Sequence, residues 1–240
     1  MDNFITYEFN SIFHSDLSTM SILLIGRGDN KFKRFSLGIQ SMEYIIKEIP
    51  EYEMKIISNT RNILSLEKIL NDLTIKKNVK FYGYSSTPEI YFKNASLHII
   101  PSLSESFSLV LAETKIYGIP NILMGLDYIS LTNKETIIIY NDTPESLAKE
   151  SIKILINYEY KKKLGKEERN NLKKYNNKIV LKKFIKIIFS IYKGYNYYEQ
   201  LRKLDKKIPE NKALNILKNQ ILLFKRRKSA IINKIENIFF

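Results

Sequence analysis

Two glutamates with seven residues between them, Glu105 and Glu113, stand in the segment Pro101-Ser-Leu-Ser-Glu105-Ser-Phe-Ser-Leu-Val-Leu-Ala-Glu113. The apolar run Leu97 to Ile100 before them reads as a short strand. The stretch from Phe107 to Tyr117 carries Leu109, Val110, Ala112 and Ile116 at helical spacing. Glu105 therefore falls in a strand-to-helix loop and Glu113 inside the helix. The amino end of that helix offers unpaired backbone N–H groups and a positive dipole to an anionic ligand. Both carboxylates are expected to face one crevice at the carboxyl edge of a sheet.

A second chemical cluster is the turn Gly26-Arg27-Gly28-Asp29-Asn30-Lys31-Phe32-Lys33-Arg34-Phe35, between an apolar strand and the first long helix. Glycines there let backbone approach a ligand, and Arg27, Lys33 and Arg34 have the charge to neutralise a diphosphate. The dinucleotide fingerprint G-x-G-x-x-G fails, because Lys31 occupies its last position. A basic turn of this kind, taken alone, is also ordinary protein surface.

Alternating elements must position these groups. Strands are predicted at Ser21–Ile25, Met54–Ser58, Val79–Tyr82 (ended by Gly83), Leu97–Ile100, Asn121–Met124 and Thr136–Tyr140. Helices are predicted at Phe35–Ile49, Leu64–Ile75, Thr87–Lys93, Phe107–Tyr117 and from Thr143-Pro144 to Asn157. Gly118-Ile-Pro120 is a stop signal after the glutamate helix, and Thr143 with Pro144 pairs a cap residue with proline at the first helical position. Strand and helix in alternation imply an α/β, Rossmann-like, doubly wound parallel sheet, with its ligand beyond the carboxyl ends of the strands. Two helices follow at Tyr160–Tyr175 and Lys178–Tyr192. A basic helical tail spans 194–240, with the cluster Lys225-Arg-Arg-Lys228.

Composition bounds the function. With 240 residues, 44% of them hydrophobic, the chain holds one full domain plus extensions. The absence of cysteine excludes disulfides and thiolate metal sites. No apolar run reaches the length of a membrane span, and residues 1–20 lack a signal-peptide pattern, so a cytoplasmic chain is expected. The net charge of +14 has two readings: lysines on solvated helix faces, or a phosphate-rich partner. The tail likewise reads as an anchor on an anionic membrane surface, as a partner helix, or as a solvated helix packing on its own domain.

The order and spacing of these features resemble the donor-binding domain of GT-B glycosyltransferases, and most closely the retaining enzymes of family 4. The resemblance covers about residues 20–193. It rests on Gly26-Arg27, Lys33, the strand Val79-Lys-Phe-Tyr-Gly83, Pro101-Ser102, the E-x7-E pair, Gly118-Ile-Pro120 and Pro144-Glu-Ser-Leu-Ala148. It implies that Arg27 and Lys33 hold the diphosphate of a nucleotide sugar and that Glu105 contacts hydroxyls of the sugar. Glu113 would accept from ribose hydroxyls. Backbone N–H groups around Ser106, Phe107, Ser108, Leu109 and Val110, with Gly26 across from them, would meet sugar and phosphate, and Gly83 and Tyr84 lie where the family places the base. Retention is attributed in this family to front-side attack, with the leaving phosphate taking the acceptor proton. No metal is then required, and no cofactor beyond the nucleotide sugar is implied.

The sequence departs from the family pattern at several points. The turn before Lys33 is one residue longer than usual, Arg34 replaces a common glycine, and Ser106 and Ser108 stand where glycine or proline is usual. About twenty residues precede the first strand, whereas GT-B enzymes carry an acceptor-binding domain there, often with an important histidine. Residues 1–20 read as a linker containing His14, and His98 reads as a core histidine. Three readings stay open: a glycosyltransferase donor domain, paired with a separate acceptor-binding subunit or belonging to a longer enzyme; a non-catalytic nucleotide-sugar-binding remnant; and a basic protein that binds nucleic acid or a membrane surface. Glutamates in a phosphate-backbone groove would repel nucleic acid, which ranks the last reading lowest.

Overall fold

The structure is a computed structural model and describes residues 14–27, 30–71, 73–176, 179–183 and 185. The predicted basic tail and most of the Lys178–Tyr192 helix lie outside the described residues. The chain divides into two compact units, Met1–Leu181 and Lys182–Phe240, and the architecture below is that of the first.

Six parallel strands form one sheet: β1 (Ser21–Ile25), β2 (Glu53–Ile57), β3 (Val79–Gly83), β4 (Leu97–Ile100), β5 (Asn121–Met124) and β6 (Ile137–Ile139). Their order in space is β3-β2-β1-β4-β5-β6, so chain direction along the sheet reverses between β1 and β4. This is the doubly wound arrangement, and its ligand crevice lies at that reversal. The strands of the middle are continuous apolar runs because both faces are covered; Ile22, Leu23 and Leu24 of β1 are fully buried.

The helices are α1 (Asn30–Lys33), α2 (Phe35–Glu48), α3 (Thr60–Asn71), α4 (Glu89–Phe92), α5 (Leu109–Ile116), α6 (Pro144–Leu155) and α7 (Tyr158–Asn171). On one face, Phe35, Ile39, Met42 and Ile45 of α2 join Leu147 and Ala148 of α6 over Ile22, Leu24, Met54 and Ile56. Burying each such side chain contributes roughly 1.5–3 kcal/mol. On the other face, Leu111, Ala112 and Ile116 of α5 pack with Leu23, Ile100 and Leu123.

Local chemistry sets the ends. Thr143 accepts from Ser146 N at 3.2 Å as the cap of α6, and Asn157 accepts from Tyr160 N at 2.9 Å as the cap of α7. After α5 the chain closes in a paired C-terminal motif, with Gly118 N donating to Lys115 O and Ile119 N to Thr114 O. Gly118 has φ 69°, the left-handed turn that this motif needs. Helix α7 then lies directly on that turn: a Cβ built on Gly165 would sit 1.8 Å from the Gly118 carbonyl oxygen.

Several predicted ends move. Helix α3 starts at Thr60 and stops at Asn71, because Leu73 N donates to Leu70 O and Asn78 N to Ile75 O as the chain turns toward β3. Helix α5 starts at Leu109 because Ser108 takes a left-handed conformation. Helix α7 starts two residues earlier than predicted, at the Asn157 cap, and its last predicted turn, Leu172–Tyr175, is a 3-10 helix. No helix among the described residues is long and apolar enough to cross a membrane.

Candidate functional site

A cavity of about 360 Å³ opens at the carboxyl ends of β1 and β4. Gly26 and Arg27 enter it directly from β1. Lys33 ends the short helix α1 and lies opposite the loop after β4, which brings in Ser102 and Glu105. The segment from Ser106 through Phe107 and Ser108 to Leu109 and Val110 forms the remaining wall at the amino end of α5. Two sequence clusters thus meet at the reversal in strand order, with Lys33 and Glu105 in contact across 72 positions of the chain.

Ionic contacts hold the walls together. Lys33 Nζ donates to Glu105 Oε1 at 2.5 Å, and Ser102 Oγ donates to the same oxygen at 2.8 Å. Both members of the ion pair are mostly buried, with side chains 18% and 11% exposed. Glu105 N donates to the Tyr128 hydroxyl at 3.1 Å, which fixes the loop from outside. The first N–H groups of α5 have no partners within the helix, so they are available to an anion in the cavity.

Three predicted residues do not line this cavity. Glu113 lies one turn further along α5 from Leu109 and Val110, on the same helix face, half-buried and beyond the residues that line the cavity. Burial, reinforced by the charge of Glu89, pushes the Glu113 carboxyl above its usual range. Gly83 ends β3 with φ 71°, and its carbonyl accepts from Ser58 N at 3.0 Å. Tyr84 follows it, 78% exposed. Gly83 and Tyr84 belong to the same carboxyl edge of the sheet, two strands away from β1.

The structure also supplies residues that the sequence did not flag. Tyr128 buttresses Glu105, beside Ser102 of the already noted Pro101-Ser102 pair. Asp142 meets Arg34, whose Nη1 donates to both carboxylate oxygens at 2.5 Å while its Nε donates to Pro101 O at 2.7 Å. Arg34 is thereby committed to tying α2 to the ends of β4 and β6. Below the cavity, His98 of β4 is buried, and Nδ1 lies 2.7 Å from Asn121 Oδ1. Burial, with the nearby Lys33 charge, lowers the His98 pKa to about 4.

The sequence profile of the family described as glycosyl transferases group 1 matches residues 13–175. The chain belongs to that family. An uncharacterized glycosyltransferase of Haemophilus influenzae is 24% identical over 104 residues, covering 43% of this chain and 29% of the relative. The poly(glycerol-phosphate) alpha-glucosyltransferase of Bacillus subtilis is 28% identical over 121 residues, covering 50% of this chain and 16% of the relative. The match thus spans less than a third of either curated relative.

Among solved structures, Staphylococcus aureus TarM in complex with fondaparinux, alpha-GlcNAc-glycerol and UDP superposes with TM-score 0.67 at 21% identity, over 76% of this chain and 38% of that one. The C-terminal domain of a glycosyl transferase group 1 protein from Francisella tularensis superposes with TM-score 0.59 at 14% identity, over 65% of this chain and 86% of that one. These likenesses establish the fold, one half of a GT-B architecture. In this group 1 glycosyltransferase chain, Arg34 and Ser108 both have positive φ, 48° and 61°. The backbone at both sites is one that glycine adopts without strain.

Proposed function

We propose that the cavity at β1 and β4 binds a nucleotide-diphosphate sugar and that the chain transfers the sugar, with retention, to an acceptor. The observation that carries this reading is the convergence of Arg27, Lys33 and the amino end of α5 on one cavity at the sheet's reversal point. Those groups supply fixed positive charge and N–H donors where the diphosphate would sit, and charge grows there as the glycosidic bond breaks. Glu105, pinned by Lys33 and Ser102, has its second oxygen for a sugar hydroxyl.

In the reaction, an acceptor hydroxyl attacks the anomeric carbon from the side of the departing diphosphate. The bond from that carbon to the phosphate oxygen breaks, the new C–O bond forms, and the acceptor proton passes to the leaving phosphate. Gly83 and Tyr84 would flank the base, and Glu113 would accept from the ribose hydroxyls. Those hydroxyls would offset the burial that raises its pKa. Support comes from the family and from solved relatives of this fold that carry UDP, among them Anabaena HepE with UDP and glucose. Turnover needs a second surface that closes over the donor, excludes water and holds the acceptor, on this or another polypeptide.

Calorimetric titration of the full chain with UDP, GDP and their sugars tests the reading. Binding in the micromolar to millimolar range is expected, weakened by about 1–3 kcal/mol in Lys33→Ala and in Glu113→Ala. A folded protein that binds none of them, or that binds a short DNA duplex tightly and salt-sensitively instead, overturns it. Binding without sugar transfer to any offered acceptor would favour a non-catalytic nucleotide-sugar-binding module.

A further inference from the structure

The buried histidine under the donor cavity belongs to a chain of hydrogen bonds that fixes its tautomer. Asn121 Nδ2 donates to Ile119 O at 2.7 Å and to Glu168 Oε2 at 2.5 Å. Both partners are acceptors, so the amide is oriented with Oδ1 toward His98. Thr114 Oγ1 lies 2.8 Å from that same Oδ1. An amide oxygen cannot donate, and His98 Nδ1 therefore carries the hydrogen that it places 2.7 Å from Asn121 Oδ1. The opposite ring nitrogen, Nε2, is then a bare lone pair.

That nitrogen is buried and has no hydrogen-bond partner among the described residues. His98 is one of the residues that line the cavity between Lys33 and Val110. A buried acceptor without a donor is destabilising. Protonation does not relieve it, because burial and the Lys33 charge hold the ring neutral at ordinary pH. What would satisfy it is an O–H or N–H group brought by a ligand. A phosphate would not serve, since an anion meets a lone pair with repulsion.

We propose that His98 is a donor-recognition residue whose Nε2 accepts a hydrogen bond from a hydroxyl or amide N–H of the bound sugar, with Asn121 and Glu168 as the positioning residues that hold the tautomer. The inference rests on the cavity being the nucleotide-sugar site. A uronate carboxylate placed at this nitrogen would be rejected. Selection by a buried, tautomer-locked acceptor is strong, because an analogue without the matching donor leaves the lone pair unpaired.

The test uses the full chain with UDP, UDP-glucose, UDP-N-acetylglucosamine, UDP-glucuronate, GDP and GDP-mannose as probes. Wild type should bind one neutral nucleotide sugar more tightly than its parent nucleotide. His98→Phe should cut that margin about tenfold and leave the parent nucleotide unaffected, while His98→Gln, which keeps an acceptor, should restore part of it. In wild type, the 15N resonance of Nε2 should move on adding the nucleotide sugar and stay in place with the nucleotide alone. In Asn121→Leu, both ring nitrogens should show mixed protonation and the margin should fall. Equal margins in folded His98→Phe and wild type, or an Nε2 resonance that ignores the sugar, overturn the proposal even where nucleotide binding stands. If wild type binds no nucleotide at all, the donor-site reading falls and takes this one with it.

Discussion

The two faces of the sheet are built differently. Under α2 and α6 the core is apolar, and its buried hydroxyls donate to backbone carbonyls: Ser41 to Gly38 O, Ser151 to Leu147 O and Tyr52 to Leu155 O. Under α5 and α7 the apolar packing is threaded by His98, Thr114, Asn121 and Glu168, with Lys115 donating to Leu131 O at 2.7 Å. Burial drives the Glu168 carboxyl up to about 7 against the pull of Lys115, and burial lowers the Lys115 ammonium. The first face holds α2 and α6 on the sheet chiefly by apolar packing, with polar ties such as Arg34 to Asp142 at its margin. The second also dictates orientation, because each polar group has one partner geometry that satisfies it.

Gly165, where α7 joins the polar face, has no room for a side chain. Its added Cβ would fall 1.8 Å from a backbone oxygen, so the helix must move away and take Glu168 with it. Gly165→Ala should cost at least the ~1–3 kcal/mol of core overpacking, read from urea unfolding. A cost below ~0.5 kcal/mol would mean that α7 is not seated as described.

Next come two substitutions with different remedies. Leu24→Ala on the apolar face should cost about 2–5 kcal/mol, and only refilling the volume restores it. Glu168→Ala should cost about 1–3 kcal/mol, since it takes a buried hydrogen-bond partner from the Asn121 amide. Replacing the polar set with a packed apolar one, His98→Phe with Asn121→Leu, Glu168→Leu and Lys115→Met, should recover much of that stability. It should also lose the discrimination between nucleotide sugar and nucleotide. Recovery of stability with discrimination intact would mean that the polar face has no part in recognition.

How much of this was legible in the sequence follows the range of the interactions. Strands β1, β4 and β5 have the predicted ends, because buried parallel strands write themselves as short apolar runs between glycine, proline and polar punctuation. Helix α1 was missed, being too short for a periodic signal. Helix α5 was begun two residues early, because nothing in Phe107-Ser108 announces a left-handed serine. The E-x7-E spacing was visible, but the path of the Glu105 loop was not, because it depends on Lys33 and Tyr128, residues distant in the chain. His98, Asn121 and Glu168 look like three unrelated core or surface positions until topology sets β4, β5 and α7 side by side.

The polar face should also answer to pH in a way that the apolar face does not. His98 has a folded pKa of about 4 against an ordinary 6.5, so between those values the unfolded chain binds the extra proton and stability rises with pH. Glu168 has about 7 against an ordinary 4.5, so between those values the folded chain binds the extra proton and stability falls as pH rises. The two slopes oppose one another from pH 4.5 to 6.5. His98→Phe should therefore tilt the melting temperature downward with rising pH relative to wild type, and Glu168→Gln should tilt it upward. Parallel curves for the two variants would show that the pair does not titrate as the burial requires.

The smallest effect distinguishes the two faces at their helix starts. Arg34 begins α2 and Ser108 begins α5, both with positive φ, and a residue with a Cβ pays ~1–2 kcal/mol for that conformation. The Ser108 side chain makes no capping hydrogen bond. Ser108→Gly should then stabilise by up to ~1 kcal/mol, since the relief exceeds the added freedom of the unfolded glycine. Arg34→Gly relieves the same strain but loses the bonds to Pro101 O and to Asp142, so it should gain nothing or lose stability. Equal gains at both positions would mean that the Arg34 guanidinium contributes no net stability, and that α2, like α5, is held by its apolar face alone.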